Sequence, residues 1–119
     1  PRLSVCIVHW NTRDDLASCL DALTAHPHPD GQEVVVVDNA SRDGAAQMVR
    51  DLHPEVRLIA NDANRCYAEG CNQAADAATG EVLLLLNPDA RVTDGALARL
   101  VDATDGGTRL SAPRLVWPD

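Results

Sequence analysis

The sequence contains no lysine and no phenylalanine, and its 119 residues include only one tyrosine and two tryptophans. The absence of lysine excludes every mechanism that requires a lysine side chain. Because aromatic residues are so few, the core must be built from aliphatic side chains. No apolar run approaches the roughly 20 residues that span a membrane as a helix, and no secretory signal opens the sequence. We therefore expect a cytoplasmic protein.

Positive charge is also scarce. The chain has ten arginines and eighteen acidic residues, which gives a formal net charge of −8 and a pI near 4.7. A nucleic-acid surface needs a basic face to meet phosphates, so we expect no nucleic-acid partner. An anionic ligand is still allowed, because exposed charges farther away than about 8 Å are largely screened at physiological salt. Such a ligand would benefit from a cation between itself and nearby acidic groups.

The four cysteines lack the paired spacing of a zinc site, and nothing in the sequence indicates an oxidising compartment. We interpret them as reduced thiols. Cys6 and Cys19 occupy apolar positions and are predicted to be core residues. His26 and His28 lie in the loop sequence HPHPDG, where histidines without a thiolate partner are more often exposed than metal ligands.

Four apolar runs predict buried strands of a parallel sheet, separated by helical patterns. They are Leu3–Val8, Glu33–Val37, Val56–Ala60 and the leucine-rich part of Glu81–Arg91. We expect the four consecutive leucines of the last run to be buried on both faces. Pro88 cannot donate to a sheet ladder, so it ends this strand and leaves Asp89 at the carboxyl end.

The segments between the strands show apolar residues at helical spacing. The second helix should pack through a face that includes Leu52, and the third should stop at Gly80. After the fourth helix, Leu110–Trp117 is predicted to be extended. The hydroxyl residues that precede three of the helices are predicted as caps: Thr12, Ser41 and Thr93.

Polar side chains follow the strands, at the edge where open α/β sheets bind ligands. These residues are His9, Asn11, Asp38, Asn39, Asn64 and Asp89. Polar loops after buried strands are also a structural norm. At this stage Asp89 therefore has two interpretations: a ligand-binding carboxylate, or a residue that merely caps a turn or the next helix.

Three common α/β nucleotide-binding classes lack their required residues here. The turn after the first strand reads HWNTRD, without the glycines of a dinucleotide-binding Rossmann domain. A P-loop needs a glycine-rich loop and a lysine. A phosphate-receiver domain of similar length and alternation also depends on a lysine.

Three segments in order carry a resemblance to a known family: SVCIVHWNTRDDLASCLDAL, VVVVDNASRDGAAQMV and NRCYAEGCNQAADAATGEVLLLLNPDARV. Together they resemble glycosyltransferase family 2, over nearly the whole chain. The resemblance implies an α/β fold of the GT-A (Rossmann-like) type, with a mostly parallel sheet and helices on both faces. It also implies that residues 1–119 are the nucleotide-sugar (donor) binding part, truncated before the acceptor-binding half. Within the family, these segments are most similar to bacterial rhamnosyltransferase-type enzymes of polysaccharide biosynthesis.

The resemblance also implies roles for individual residues. Asp38 would accept hydrogen bonds from the base or ribose, Arg65 would lie near phosphate oxygens, and Asp89 would bind Mg²⁺ or Mn²⁺. The nucleotide-sugar-binding set carried over in this way is His9, Asn11, Thr12, Asp38, Asn39, Asn64, Arg65 and Asp89.

In the family, a sugar moves from a nucleotide diphosphate-sugar to an acceptor hydroxyl with inversion of configuration at the sugar. A carboxylate far along the chain acts as the general base. We therefore expect a dTDP- or UDP-sugar donor, and a saccharide or lipid-linked acceptor bound by the missing C-terminal half. The catalytic base is expected beyond Asp119, so the chain should be inactive alone. The complete enzyme would act in cell-envelope polysaccharide or glycan synthesis, at the inner face of the membrane.

Two features depart from the family pattern. Cys66 stands where glycine is common, and a positive φ there would strain a residue that has a Cβ atom. The motif NPDA also supplies one carboxylate where many relatives have two. These departures keep open an alternative, a degenerate domain that binds nucleotide-sugars or partners without catalysis.

Overall fold

The computed structural model describes residues 1–105 and 110–114, in which four strands and four helices alternate along the chain. This alternation confirms the predicted α/β class. The elements are β1 (Leu3–His9), α1 (Arg13–Ala25), β2 (Gln32–Asp38), α2 (Ala45–Leu52), β3 (Arg57–Ala60), α3 (Cys66–Ala77), β4 (Val82–Leu85) and α4 (Ala96–Asp102).

All three strand pairings are parallel, and the order across the sheet is β3-β2-β1-β4. The two central strands pair over their whole length, from Leu3 opposite Gln32 to His9 opposite Asp38. Every residue of β1 is buried. Continuous burial of this kind is typical of a parallel strand covered on both faces.

Helices cover the two faces of the sheet unequally. One face carries Leu3, Val5 and Ile7, which pack with buried residues of α1, α2 and α4. The opposite face carries Cys6 and Val8, which pack with the third helix. The alternation follows from the two-residue period of a strand.

Both buried cysteines belong to this core, as predicted. Cys6 is 2% exposed and Cys19 is 1% exposed, and burial raises the pKa of each thiol to about 11. Neither thiol is therefore ionised near neutral pH.

The prediction that the fourth strand is buried on both faces is wrong. β4 lies at an edge of the sheet, and its side chains alternate between half-buried and exposed. Val82 and Leu84 pack on the face covered by α1, α2 and α4, whereas Leu83 and Leu85 are 48% and 53% exposed. The reason is that α3 packs mainly over β1 and β2 and leaves this face of β4 largely uncovered.

The predicted caps are also wrong in detail. Thr12 is the N-cap residue of α1, but its side chain makes no capping hydrogen bond. The N-cap residues of α2 and α4 are Gly44 (φ +82°) and Gly95 (φ +73°), in place of Ser41 and Thr93. Helices α2 and α4 therefore begin directly after a glycine in the left-handed region, later along the chain than predicted.

Three other predictions are corrected or lie partly outside the described residues. Leu52, assigned to the packed face of α2, is 66% exposed at the end of that helix, and His28 is 6% exposed although its loop was predicted to lie in solvent. Residues 110–114 form neither helix nor strand, and the rest of Leu110–Trp117 lies outside the described residues. Among the described residues, no helix is long and apolar enough to cross a membrane.

Candidate functional site

The parallel sheet brings the polar strand ends together at one edge. His9 and Asp38 pair at the ends of β1 and β2, and the backbone N–H of Asn39 donates to the carbonyl of His9 at 2.9 Å. β4 runs parallel to β1, so Asp89, four residues after that strand, follows the same carboxyl edge. This is the edge at which the sequence predicts a ligand site.

His9 is buried beneath this edge, and both of its ring nitrogens are hydrogen-bonded. Nδ1 lies 2.6 Å from the Thr12 hydroxyl oxygen and 3.3 Å from the Thr12 backbone nitrogen, and Nε2 lies 3.0 Å from Ser41 Oγ. Because the Thr12 N–H donates to Nδ1, we assign the ring proton to Nε2. Burial lowers the pKa of His9, and the opposing attraction of Asp38 and Asp43 does not cancel this effect.

Ser41 joins the loop after β1 to the loop after β2. Its hydroxyl oxygen accepts a hydrogen bond from the Asn11 backbone N–H at 2.9 Å, in addition to the contact with His9. The Asn11 side chain completes the connection, since its Oδ1 accepts from the backbone N–H of Arg42 at 2.8 Å. Asn11 has a positive φ of 51°, which asparagine tolerates better than most residues. The two loops therefore form one hydrogen-bonded unit.

Asp38 is 3% exposed and uses one carboxylate oxygen within the protein. Oδ1 accepts from the backbone N–H of Ser41 at 2.8 Å, whereas no donor among the described residues contacts Oδ2. No fully buried side-chain oxygen or nitrogen of the described residues lacks a partner, so Oδ2 must reach solvent. A ligand N–H or O–H at the sheet edge can therefore bind this oxygen.

Asn39 holds the segment that leads into α3. Its Oδ1 accepts from Asn61 Nδ2 at 2.9 Å and from the Arg65 backbone N–H at 3.2 Å, and its Nδ2 donates to the carbonyl of Cys66 at 3.1 Å. The side chain is only 2% exposed. These contacts make Asn39 a residue that positions the loop before α3.

The start of α3 presents polar groups to solvent. Asn64 Oδ1 accepts from the backbone N–H of Cys66 at 2.8 Å, which orders the first turn. The Arg65 guanidinium is 52% exposed and lies 3.5 Å from Glu69, a surface ion pair of the kind that contributes little to stability. Cys66 is exposed and has a φ of +67°, so the backbone conformation expected to strain it is present.

Asp89 lies on an exposed turn closed by the Ala90 N–H, which donates to the carbonyl of Asn87 at 3.0 Å. No donor of the described residues contacts the Asp89 carboxylate, so it caps neither this turn nor α4. Arg91 ties the same loop to α1 through an ion pair with Asp15 at 3.1 Å. The turn thus presents an unpaired carboxylate at the carboxyl edge of the sheet.

Metal binding at this edge would need ligands beyond the His, Cys, Asp and Glu side chains of the described residues. Within the described ranges, no group of three or more His, Cys, Asp or Glu side chains is arranged to hold an ion. Asp89 nevertheless offers the hard oxygen donor that Mg²⁺ and Mn²⁺ prefer, and both ions commonly bind through one or two carboxylates with phosphates and waters. The residues present therefore fit a metal that arrives with a phosphate ligand.

The predicted residues fall into two connected groups and one separate residue. His9, Asn11, Thr12 and Asp38 are joined through Ser41, whereas Asn39 holds the loop before α3, which contains Asn64 and Arg65. Asp89 shares with them only the sheet edge. The linking role of Ser41 was not predicted from the sequence, although its place three residues after Asp38 in VDNAS was a usable signal.

Cavity size does not mark this site. A cavity of about 370 Å³ lies beside it, lined by Asn11, Thr12, Arg13, Asp14, Asp15 and Asp43. The larger cavity, about 490 Å³, is lined by residues of β4, α4 and the start of β1 together with Leu110 and Ser111. We place the functional site by its polar groups, because the larger cavity contains none of the predicted residues.

The fold and the polar edge define an α/β protein with a parallel sheet whose polar groups gather at the carboxyl ends of the strands, where such sheets bind ligands. Residues 4–116 match the family model described as glycosyl transferase family 2. The chain therefore belongs to this family, and the prediction of a glycosyltransferase domain with the GT-A fold is confirmed.

Relatives from several organisms match almost the whole chain. It is 29% identical to the uncharacterized glycosyltransferase YfnE of Bacillus subtilis over 98% of this chain and 30% of YfnE. It is also 29% identical to the succinoglycan biosynthesis protein ExoO of Rhizobium meliloti over 97% of this chain and 33% of ExoO.

A solved structure shows the same fold. The mannosyltransferase PcManGT of Pyrobaculum calidifontis, in complex with GDP-Man and Mn²⁺, superposes with a TM-score of 0.82 and 32% identity, over 91% of this chain and 33% of that one. The chain thus spans about a third of the length of each of these relatives.

Proposed function

We propose that residues 1–119 are the donor-binding part of an inverting glycosyltransferase that transfers a sugar from a nucleotide diphosphate-sugar to an acceptor hydroxyl. The observation that carries this proposal is the placement of Asp38 and Asp89 at one sheet edge, each with carboxylate oxygen available to a ligand. Membership of glycosyl transferase family 2 supports the same conclusion.

The nucleoside binds at the ends of β1 and β2. The free Oδ2 of Asp38 accepts an N–H or O–H from the base or ribose, and its burial strengthens that hydrogen bond because water competes less for it. Asn11 and Thr12 line the adjacent cavity of about 370 Å³ and would complete the pocket. Their loop is held in place through Ser41, so the pocket is ordered before the ligand arrives.

The diphosphate binds between Arg65 and Asp89. As the glycosidic bond breaks, negative charge grows on the leaving nucleotide diphosphate, and groups that stabilise this charge accelerate the reaction. The exposed Arg65 guanidinium supplies charged hydrogen bonds to phosphate oxygens. A Mg²⁺ or Mn²⁺ ion held by Asp89 and the phosphates would stabilise the same charge. The presence of Mn²⁺ and GDP-Man in the PcManGT complex supports a donor that binds together with a divalent metal.

The acceptor and the general base belong to the part of the enzyme outside these 119 residues. A saccharide or lipid-linked acceptor must lose its hydroxyl proton to a base, which we place beyond Asp119. The chain should therefore bind the donor without transferring the sugar. The name of ExoO, a succinoglycan biosynthesis protein, supports a role in polysaccharide synthesis. We place that role in cell-envelope synthesis at the inner face of the membrane. A rhamnosyl donor carried on dTDP or UDP remains part of the proposal.

One observation favours a second candidate, a domain that binds nucleotide-sugars without catalysis. Cys66 occupies a left-handed conformation at the edge of the site, where glycine would fit without strain. A complete enzyme that binds the donor but shows no turnover with any acceptor would favour this candidate.

Calorimetric titration tests the donor site directly. The 119-residue protein is titrated with UDP, dTDP and GDP, with and without Mn²⁺, after circular dichroism has shown that it is folded. Asp89→Asn is compared with Asp76→Asn, which removes an equal charge from an exposed position near the far end of α3. We expect one nucleotide to bind in a metal-dependent manner and Asp89→Asn to weaken it at least tenfold. Asp76→Asn should bind like the wild type.

Two results would contradict the proposal. If a folded sample binds none of the nucleotides, this chain does not contain the donor site. If a nucleotide binds equally strongly to Asp89→Asn and to the wild type without Mn²⁺, Asp89 does not hold a metal that binds the nucleotide.

A further inference from the structure

We propose that neutral His9 is a positioning residue that fastens the loop after β1 to the loop after β2, and that its protonation releases both loops. The idea that these loops bind a donor rests on the proposed function, whereas the fastening itself does not. His9 connects the loops without presenting its ring to the surface, since it is only 1% exposed.

The geometry requires one particular form of the ring. Nδ1 must accept from the Thr12 N–H, and Nε2 must then donate to Ser41 Oγ. Ser41 Oγ accepts a second hydrogen bond from the Asn11 N–H, so the His9 ring contacts Thr12 directly and is linked to Asn11 through Ser41. A neutral imidazole with its proton on Nε2 satisfies all of these contacts at once.

A protonated His9 loses part of this arrangement. With a proton on both nitrogens, Nδ1 can still donate to the Thr12 hydroxyl oxygen at 2.6 Å, but it can no longer accept from the Thr12 N–H. The positive charge would also be almost fully buried, which is costly without a paired anion. The charged groups that act on the ring are Asp38 at the end of β2 and Asp43 before α2, and neither is in hydrogen-bond contact with it. Opening of the loops is therefore the way for the charged ring to regain solvent.

The direction of the pH dependence follows from these contacts. The pKa of His9 is lowered from its usual 6.5 because burial outweighs the attraction of the two carboxylates. The neutral, fastened form therefore persists to a lower pH than that of a free imidazole, and acid progressively favours the open form. If only the fastened form binds donor, binding weakens by up to about tenfold per pH unit below the pKa of His9 in the free protein.

Nuclear magnetic resonance of the free 119-residue protein tests the fastening without any ligand. The ¹⁵N shifts of the imidazole report the tautomer and its titration, and the amide signals of Asn11, Thr12 and Ser41 report the loops. We expect a neutral Nε2–H ring at pH 7.5 and loop amides that shift with the same midpoint as His9. An Nδ1–H ring, or loop amides that do not follow His9, would overturn the proposal.

Donor binding supplies the second test. UDP-glucose, GDP-mannose and dTDP-glucose are titrated with Mn²⁺ from pH 8.0 to 5.5, because a free nucleotide diphosphate would itself titrate near pH 6 whereas its sugar ester does not. His9→Gln keeps an N–H near the position of Nε2 and removes the titration. We expect it to bind more weakly than the wild type at pH 8.0 but to lose the steep acid dependence.

His53→Gln is the matched control, since it removes a histidine that is 7% exposed at the C-terminal end of α2, away from the site. It should keep the wild-type pH profile. A His9→Gln protein that retained that profile would overturn the proposal. If no nucleotide-sugar binds the wild type at pH 8.0, the proposed function fails, and the resonance experiment alone decides on the fastening.

Discussion

Cys66 adopts a backbone conformation that costs free energy. Its φ of +67° lies in the left-handed region, where a Cβ atom approaches the neighbouring carbonyl. The side chain is exposed, so packing contacts do not offset this cost. The surrounding hydrogen bonds, from the Cys66 N–H to Asn64 and from Asn39 to the Cys66 carbonyl, hold the turn in place.

Relief of this strain should be measurable. We expect Cys66→Gly to raise the free energy of unfolding by about 0.5 to 1 kcal/mol, which is the strain removed less the extra entropy that glycine gives the unfolded chain. Urea denaturation measures the difference. Cys66→Ala is the control, because it removes the thiol and keeps the Cβ atom, and it should leave stability nearly unchanged. Equal stabilities for the alanine and glycine proteins would show that the backbone is not strained.

Which residues lie at the edge was predictable, but what each one contacts was not. The positions of His9 and Asp38 follow from the strand pattern alone, because parallel strands end together. The linking role of Ser41 depends on the conformation of the loop between Asp38 and Gly44, which periodicity does not describe. The same limit applies to Asn39, whose partners come from a segment more than 20 residues away. The ligand contacts of the whole predicted set stay predictions.

At the scale of elements, the third helix approaches the sheet unusually closely. Gly70 is buried in α3, and a Cβ atom placed on it would lie 2.7 Å from Val8 Cγ1 and 3.1 Å from Val8 Cγ2. Val8 belongs to the fully buried strand β1, and a β-branched side chain there has little rotamer freedom. The glycine therefore allows α3 to pack directly on β1, beside the Asn39 amide.

Gly70→Ala should move the helix away from the sheet. Helix propensity favours alanine by about 1 kcal/mol, but overpacking against a buried strand costs roughly 1 to 3 kcal/mol or more, so we expect a net loss of about 1 kcal/mol in the free energy of unfolding. Thermal or urea denaturation provides the value. Asn72→Ala, at an exposed position of the same helix, should instead stabilise the protein slightly. A Gly70→Ala protein as stable as Asn72→Ala would contradict the close packing.

Element types were predictable because their hydrophobic periods are distinct, whereas their surroundings were not. The leucine run of β4 has the sequence of a strand buried on both faces, yet Leu83 and Leu85 are exposed because α3 lies over β1 and β2. Helix starts were misplaced for a similar local reason. Gly44 and Gly95 take positive φ values immediately before α2 and α4, and the hydroxyl residues upstream remain in the loops.

At the scale of the whole molecule, the parallel sheet separates stability from function. The core lies between the strands and the helices, and the groups able to bind a ligand gather at the carboxyl edge. A net charge of −8 opposes the approach of an anionic nucleotide. A cation at Asp89 and the guanidinium of Arg65 would offset this repulsion locally, and we therefore propose that both help to bind the diphosphate.

The most direct test of this assignment is to locate Mn²⁺ on the 119-residue protein by paramagnetic broadening of its amide signals. With Mn²⁺ and the nucleotide diphosphate that binds, we predict broadening in residues 9–12, 38–42 and 87–91, and none in residues 28–32 at the opposite edge. The broadening should vanish without the nucleotide and in Asp89→Asn. Broadening centred elsewhere, or unchanged in that variant, would contradict a donor site at the carboxyl edge of the sheet.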